Sequence, residues 1–521
     1  MTLPATAQKS ASDLNGPAPP ETASGVSRMR WLIRLALFGA AALLATMYLT
    51  PDVTSPVAPP LRQFGTTECP TPPTPSAEPV PDQLNWRACP GEPDIAAEEN
   101  FRLWDEKLVQ GLRLHVQGSP RTEQESWHAI TDHIHVFSAF LATTNEHAIH
   151  ITSLVRSNET KANGAPIVHP PLVCIIRTSK TTIEFRAHIR LVWTYYNPSF
   201  RNALILCPPP KKAFLEDEDI RVAVATQHSR ARSLRWLRLH RPPEKSPVKC
   251  CAVCVRPLYG SVGLWKVVEF IAHYRAVGAT SFFFYDLNVT SDLKHLVSRM
   301  QSLGVDVTFI PFKLIMDTTG EVYHVHARGQ MPALYDCIFR SLSKMEYHVH
   351  VDIDELMVPM PNFSMPAMVG EAERISAGSV GSVRVPCRYH CLEYPQNTQY
   401  TRRGLLPLQT RLSVYHHGNF SDDGVTKYIA RSRTVCEAAV HEVLRHCARK
   451  TSSFLDSYKS YIRHYRQCCR FAESNYYAKL GQFWNITSLS VDTSFMELSA
   501  RIERDPVVRT LMRVSMNSSC D

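Results

Sequence analysis

The chain has no block of like charge. Its 57 lysines and arginines are dispersed among 48 aspartates and glutamates for a net +9, so no nucleic-acid footprint is visible, although a basic surface that draws phosphate-bearing ligands is allowed. Zinc-ribbon spacing is also missing: Cys250-Cys251-x-x-Cys254 has no second C-x-x-C to complete a four-ligand site, so disulfide use is expected there. No cysteine precedes residue 69, and all fifteen lie from there onward. The odd count leaves at least one thiol free or shared with another chain.

What is present is ordered by compartment. Residues 1–30 are polar and without periodicity, as in a cytosolic tail. Trp31 to Thr50 is almost wholly apolar and long enough to cross a bilayer, with Arg28, Arg30 and Arg34 on its N-terminal side and only Arg62 in the thirty residues after it. No clean small-x-small cleavage site closes that run, so a retained signal anchor of type II orientation is expected. Residues 51–100 are proline-rich and suit a stem. Six N-x-S/T sequons follow, at Asn158, Asn288, Asn362, Asn419, Asn485 and Asn517, all on the side assigned to the secretory lumen. The cysteines fit the same oxidising side.

The length and the 44% hydrophobic content allow more than one folded unit. Residues 101–247 are mostly strand-like, in runs such as H-I-H-V-F-S-A-F-L and P-L-V-C-I-I-R, and gather no catalytic groups; a small mostly-β accessory domain is expected. From 248 to 521 the period changes. V-K-C-C-A-V-C-V predicts a strand that ends in the turn Arg256-Pro257-Leu258-Tyr259-Gly260, and Leu264 to Tyr274 recur at helical spacing up to Gly278. T-S-F-F-F-Y-D-L is a second strand with Asp286 at its end. Further stripes give a helix closed by Gly304, the strand V-D-V-T-F-I-P, and a helix over Met331–Leu342. Alternating strands and helices predict a mostly parallel α/β sheet, whose ligands bind beyond the carboxyl ends of the strands. Tyr259, Asp286, Asp352 and Asp354 all fall there. Asp352 and Asp354 share a face of an extended chain, and two ionised carboxylates that close repel unless a cation lies between them. A divalent ion with oxygen ligands and open positions for substrate phosphates meets that need.

The segments V-R-P-L-Y-G, K-V-V-E-F-I-A-H-Y-R-A-V-G-A-T-S-F-F-F-Y-D-L, Q-M-P-A-L-Y-D-C-I-F-R and H-V-D-I-D-E-L-M-V-P, in order from about Cys250 to Pro359, resemble glycosyltransferase family 92. The resemblance implies a GT-A (Rossmann-like) catalytic domain, UDP-galactose as donor and Mn2+ as metal. It also implies inversion at the sugar, a β-linked galactose on a glycan acceptor, and a membrane-anchored enzyme expected in the Golgi. Carried over by position, Asp352 and Asp354 would hold the metal, flanked by Glu355, with His441 as a third metal or diphosphate ligand. Pro257 and Tyr259 match the turn near the nucleotide. Asp286, Arg340 and Arg466 are further donor-binding expectations, with a structural ion pair as the alternative for Arg340 and for Arg466. Lys427-Tyr-Ile-Ala-Arg431 resembles the family's K-x-I-x-R element, with Ser432 for its usual proline and Ala439 for its glycine.

Inverting transfer also needs a carboxylate to take the acceptor's proton, and Asp422, Asp423, Glu437 and Glu442 are the alternatives. Two other readings compete: a transferase of the same fold using another UDP-sugar, and a non-enzymatic anchored cell-surface or matrix protein whose acids bind calcium. The paired His324/His326 and His348/His350 are expected to be structural, as are Trp265 and the Phe282–Tyr285 run.

Overall fold

A computed structural model describes residues 95–517, except 116–118, 123–124, 143–147, 157–168, 194–197, 209–216, 218, 228–233, 242–248, 316–324, 343, 360–363, 377–378, 398–405, 418–424, 448, 457 and 469–488. The tail, the apolar run, most of the stem, Asp422, Asp423, His324 and the sequons at Asn158, Asn362, Asn419 and Asn485 lie outside the described residues. Among the described residues no helix is long and apolar enough to cross a membrane.

The first element differs from the strand-like reading. Ile95–His115 is a helix, α1, because Trp104, Leu108 and Leu112 recur every fourth residue and form one apolar stripe. All three are buried in the core of the α/β half. Trp104 meets Trp265 edge-on at 5.6 Å, and the Trp265 indole N–H donates to the Trp104 carbonyl at 2.9 Å. Gly111 is required there: a Cβ would come within 2.5 Å of the Val514 carbonyl oxygen on the C-terminal helix Pro506–Asn517.

Eight strands then form one sheet: β1 (His128–Thr131), β2 (Ile134–Ala142), β3 (Ala148–Arg156), β4 (Leu172–Arg177), β5 (Thr182–Leu191), β6 (Phe200–Cys207), β7 (Arg221–Thr226) and β8 (Leu237–His240). Their order is β1-β2-β3-β6-β5-β4-β7-β8, and β8 pairs back in parallel with β2, closing the sheet on itself. Closure removes the exposed edges an open sheet would leave. Ile134, Val136, Ile151, Ile205 and Val222 share one apolar cluster with the Cys174–Cys207 disulfide that links β4 to β6.

The second sheet follows the predicted alternation: β9 (Lys249–Val255), β10 (Leu258–Gly260), α2 (Leu264–Ala276), β11 (Ala279–Val289), α3 (Ser291–Ser302), β12 (Val307–Pro311), α4 (Gln330–Leu342) and β13 (Met345–Val351). Gly278 and Gly304, with φ of 108° and 83°, supply the left-handed turns that end α2 and α3. The strands β12, β11, β9 and β13 lie side by side, all parallel, and are buried on both faces. That is why their sequences read as continuous apolar runs rather than alternating ones. Phe282 to Tyr285 are core, as expected, and Trp265 is 1% exposed.

Beyond β13 the sheet becomes mixed. After β14 (Glu355–Pro359) and α5 (Met365–Ile375) come β15 (Val380–Cys391), β16 (Tyr415–His417), β17 (Thr426–Arg431), β18 (Val435–Ala438), β19 (Val443–His446), β20 (Thr451–Phe454) and β21 (Ser460–Arg466). β17 is antiparallel to both β13 and β15, β21 runs parallel to β15, and β14 is antiparallel to β21. Cys254–Cys337 ties β9 to α4, so the C-x-x-C stretch is disulfide-bonded, as expected.

Two core histidines make stability depend on pH. His273 donates Nε2–H to the Met357 carbonyl at 2.8 Å, while Nδ1 has no partner. His348 contacts Ser432 through Nδ1 at 3.2 Å and leaves Nε2 buried. Burial lowers each to about 4. An unfolded imidazole takes its proton near 6.5, so between 6.5 and 4 the unfolded chain binds more protons than the folded one and stability falls with pH. Each buried imidazole is expected to cost a few kcal/mol across that window, read as a falling denaturant midpoint between pH 7.5 and 5. A flat midpoint would show these rings to be solvated.

Candidate functional site

The strand order β12-β11-β9-β13 reverses direction between β9 and β13, because the chain first builds outward from β9 and then crosses to its other side. In open α/β sheets that reversal leaves a crevice beyond the strand ends, where ligands bind. Arg256 follows β9 and Asp352 follows β13, and they meet there: Arg256 Nη1 lies 3.3 Å from Asp352 Oδ2. Gln330, the first residue of α4, donates from Nε2 to Asp352 Oδ1 at 3.3 Å. Lys427 reaches in from β17, with Nζ 3.8 Å from Asp352 Oδ2 and 3.0 Å from Glu355 Oε2.

The two aspartates are not equivalent. Burial pushes Asp352 up, but Lys427 and Arg256 outweigh it and hold the carboxyl well below the usual range. Asp354 sits in a recess with 43% of its side chain exposed, and His464 Nε2 is 3.7 Å from its carboxylate. Glu355 is fully buried. Burial raises its carboxyl while Lys427 counteracts. Lys427, 1% exposed in its side chain, is pushed up against its burial by Asp352 and Glu355. Among Asp352, Asp354, Glu355, Arg256 and Lys427, three carboxylates against two cations leave a single net negative charge.

That balance fits a divalent cation, and Asp354 gives it an accessible oxygen. His441 has the right tautomer: Thr426 O can only accept, so Nδ1 donates to it at 2.9 Å and Nε2 carries the lone pair. Burial and Lys427 keep this ring neutral by lowering it to about 4. Asp352, Asp354 and His441 are therefore suited in chemistry to hold a metal.

Other expected residues are placed as follows. Tyr259 is 41% exposed on the rim, and the Arg328 guanidinium lies 3.7 Å from its ring centroid. Arg328 is delivered by the run Ala327-Arg328-Gly329, whose φ values of 45°, 55° and 86° are strained for the two non-glycine residues. Pro257 is buried. Asp286 is committed locally, accepting from Val289 N at 2.9 Å and pairing with Lys294 at 2.9 Å. Arg466 lies over Tyr389 at 5.7 Å, at the end of the strand that carries His464. Glu437 pairs with Arg445 and Glu442 with Arg384.

Arg340 is placed away from the crevice, where it takes the structural alternative, a buried ion pair, in place of the donor role. It lies ten residues along α4 from Gln330, roughly 15 Å away at helical rise. It pairs with Asp336 at 2.6 Å and with Glu125 at 3.3 Å, and Asp336 also accepts from Tyr285 and Ser138. This buried network joins α4 to the closed β-sheet, so Arg340→Met is expected to cost about 3–5 kcal/mol of stability. Donor KM should be unchanged; a raised KM in a normally folded variant would return Arg340 to the site.

Sequence reasoning gave no role to Arg256, Gln330 or Lys427. A lysine flanked by Tyr428 and Ile429 in a strand is the legible signal, since a buried lysine needs paired acids.

Acids and fixed cations meeting at the switch point of an α/β sheet define an enzyme built to hold a charged, phosphate-bearing ligand. Residues 249–504, from β9 through the helix Phe495–Arg504, match glycosyltransferase family 92, so this region is identified as a domain of that family. No curated protein matches the chain.

Proposed function

We propose that the protein is a type II membrane galactosyltransferase that transfers galactose from UDP-galactose to a glycan, with inversion, in a metal-dependent single displacement giving a β-linkage. The observation that carries this reading is the Arg256–Asp352–Lys427 cluster beside the half-exposed Asp354 at the switch point. Arg256 and Lys427 supply fixed positive charge next to the donor's diphosphate, and Gln330 holds Asp352 in place. A divalent cation such as Mn2+, held by Asp352, Asp354 and His441, would neutralise charge on the departing UDP. Tyr259 and Arg328 present a flat, cationic rim to the nucleotide. The acceptor's proton goes to a carboxylate on the far side of the sugar, for which Asp422, Asp423, Glu437 and Glu442 stand as alternatives. On this reading Trp31 to Thr50 anchors the chain and the catalytic region faces the lumen of the Golgi, which the sequons and cysteines support in so far as they fit an oxidising secretory compartment.

The test is a donor-by-acceptor screen with the full chain, in Mn2+ and in chelator. UDP release from UDP-galactose only with metal and a glycan acceptor is the expected result. Turnover of a different UDP-sugar would reassign the donor, and turnover of none would leave an anchored binding protein.

A further inference from the structure

Behind Asp352 and Asp354, three neighbouring strands present donor groups of a different chemistry. Glu355 on β14 stands opposite His464 on β21, and Cys387 on β15 lies two residues from Tyr389, the residue opposite His464 on its other side. One ligand atom of each of Glu355, Cys387 and His464 lies within 4.8 Å of the others. All three residues are buried, at 0%, 3% and 7% exposure. Cys387 is the free cysteine among the described residues. A second observation points to a ligand: Glu355 Oε1 and His464 Nδ1 are 3.4 Å apart, yet neither makes a hydrogen bond. Two buried polar atoms that face each other without a hydrogen bond leave their bonding capacity unmet at a cost in free energy, and one cation between them would satisfy both.

We propose that Glu355, Cys387 and His464 form a second metal site, for a thiophilic divalent cation of the zinc class, separate from the Asp352/Asp354 pair. Thiolate, imidazole and carboxylate are the ordinary zinc donors, at about 2.0–2.3 Å, which puts tetrahedral ligand atoms about 3.3–3.6 Å apart. The three strands need only close by about an ångström to reach that spacing. Binding exchanges the Cys387 thiol proton, released to solvent, for the metal–sulfur bond. Lys427 and Arg466 oppose the incoming charge while Asp352 and Glu355 favour it. The thiolate therefore selects a soft ion over the hard ions suited to Asp354. Entry runs past Asp354, whose exposed carboxylate sits beside His464. Occupation draws His464 away from Asp354 and Glu355 away from Lys427, and so stops transfer; this consequence rests on the proposed transfer reaction, whereas the site itself does not.

The probe is Co2+ titrated into the full chain, followed by Zn2+ in calorimetry. The expected result is a thiolate-to-cobalt charge-transfer band, displaced by Zn2+, that disappears in both Cys387→Ser and Cys387→Ala and persists in Asp354→Asn. Zinc affinity should fall at least tenfold in the two cysteine variants, with circular dichroism reporting that they fold. In Mn2+-supported UDP release, Zn2+ should inhibit the wild type and spare Cys387→Ser. Absence of the band, its survival in both cysteine variants, or its loss in Asp354→Asn would overturn the proposal. If no donor is turned over, the transfer reading fails while the cobalt band still decides the site.

Discussion

Replacing Asp354 with asparagine is expected to lower metal-supported UDP release by roughly 100- to 1,000-fold while leaving the fold intact, the range that follows from losing a directly acting metal or transition-state group. The change is nearly isosteric and removes one charge. The crevice goes from a single net negative charge to none, so a divalent ion loses both its accessible ligand oxygen and the field that attracts it. Stability should hardly move, because Asp354 is half-exposed and its ionic neighbour His464 is 3.7 Å away. Asp352→Asn makes the contrasting case. Asp352 faces both Arg256 and Lys427, so its loss leaves buried lysine charge less compensated and should reduce stability and turnover together. Turnover and thermal midpoint, measured side by side for the two variants, separate metal binding from scaffold charge. Wild-type turnover by Asp354→Asn, or turnover unchanged in chelator, would remove the metal from the reaction.

Much of this site was legible because the parallel half of the sheet repeats one local rule. β9, β11, β12 and β13 are apolar runs, separated by helices of which α2 and α3 end at Gly278 and Gly304, and parallel strands of that kind put functional groups at their carboxyl ends. Asp352 and Asp354 followed from that rule and from their own repulsion. The cations did not, since Arg256 reads as a turn residue and Lys427 comes from β17, a strand 75 residues beyond Asp352 that enters antiparallel beside β13. Pairing partners that far apart leave no periodic trace in either segment. Arg340 stayed open between donor contact and a structural pair for a related reason. Its four-residue spacing from Asp336 marks a buried helical ion pair, but the groups that fix the pair, Glu125 beside Arg340 and Ser138 of β2 beside Asp336, lie some 200 residues earlier. Helix α1 was missed because its stripe of Trp104, Leu108 and Leu112 is short and lies directly after proline-rich sequence.

Lys427→Met is expected to be the most destabilising single change at the site, by about 3–5 kcal/mol at neutral pH. Methionine fills the same volume but leaves Glu355, fully buried, without the ammonium 3.0 Å from its Oε2. Asp352 keeps Arg256, so the orphaned charge is chiefly that of Glu355. Burial already raises the Glu355 carboxyl, and removing Lys427 raises it further. A folded carboxyl above its unfolded value stabilises at pH below that value and loses the contribution as pH rises. The deficit relative to wild type should therefore be largest at neutral pH and shrink as pH falls toward the unfolded carboxyl range near 4.3. Comparing both proteins at each pH cancels the shared histidine effect. The double variant Lys427→Met/Glu355→Gln removes both charges and should recover at least half of the lost stability, as neutral replacements of buried pairs do. Equilibrium denaturation of wild type, single and double variants at three pH values measures each term. A single variant within 1 kcal/mol of wild type at neutral pH would show that water, and not Lys427, compensates Glu355, in which case the crevice is open where the geometry makes it closed.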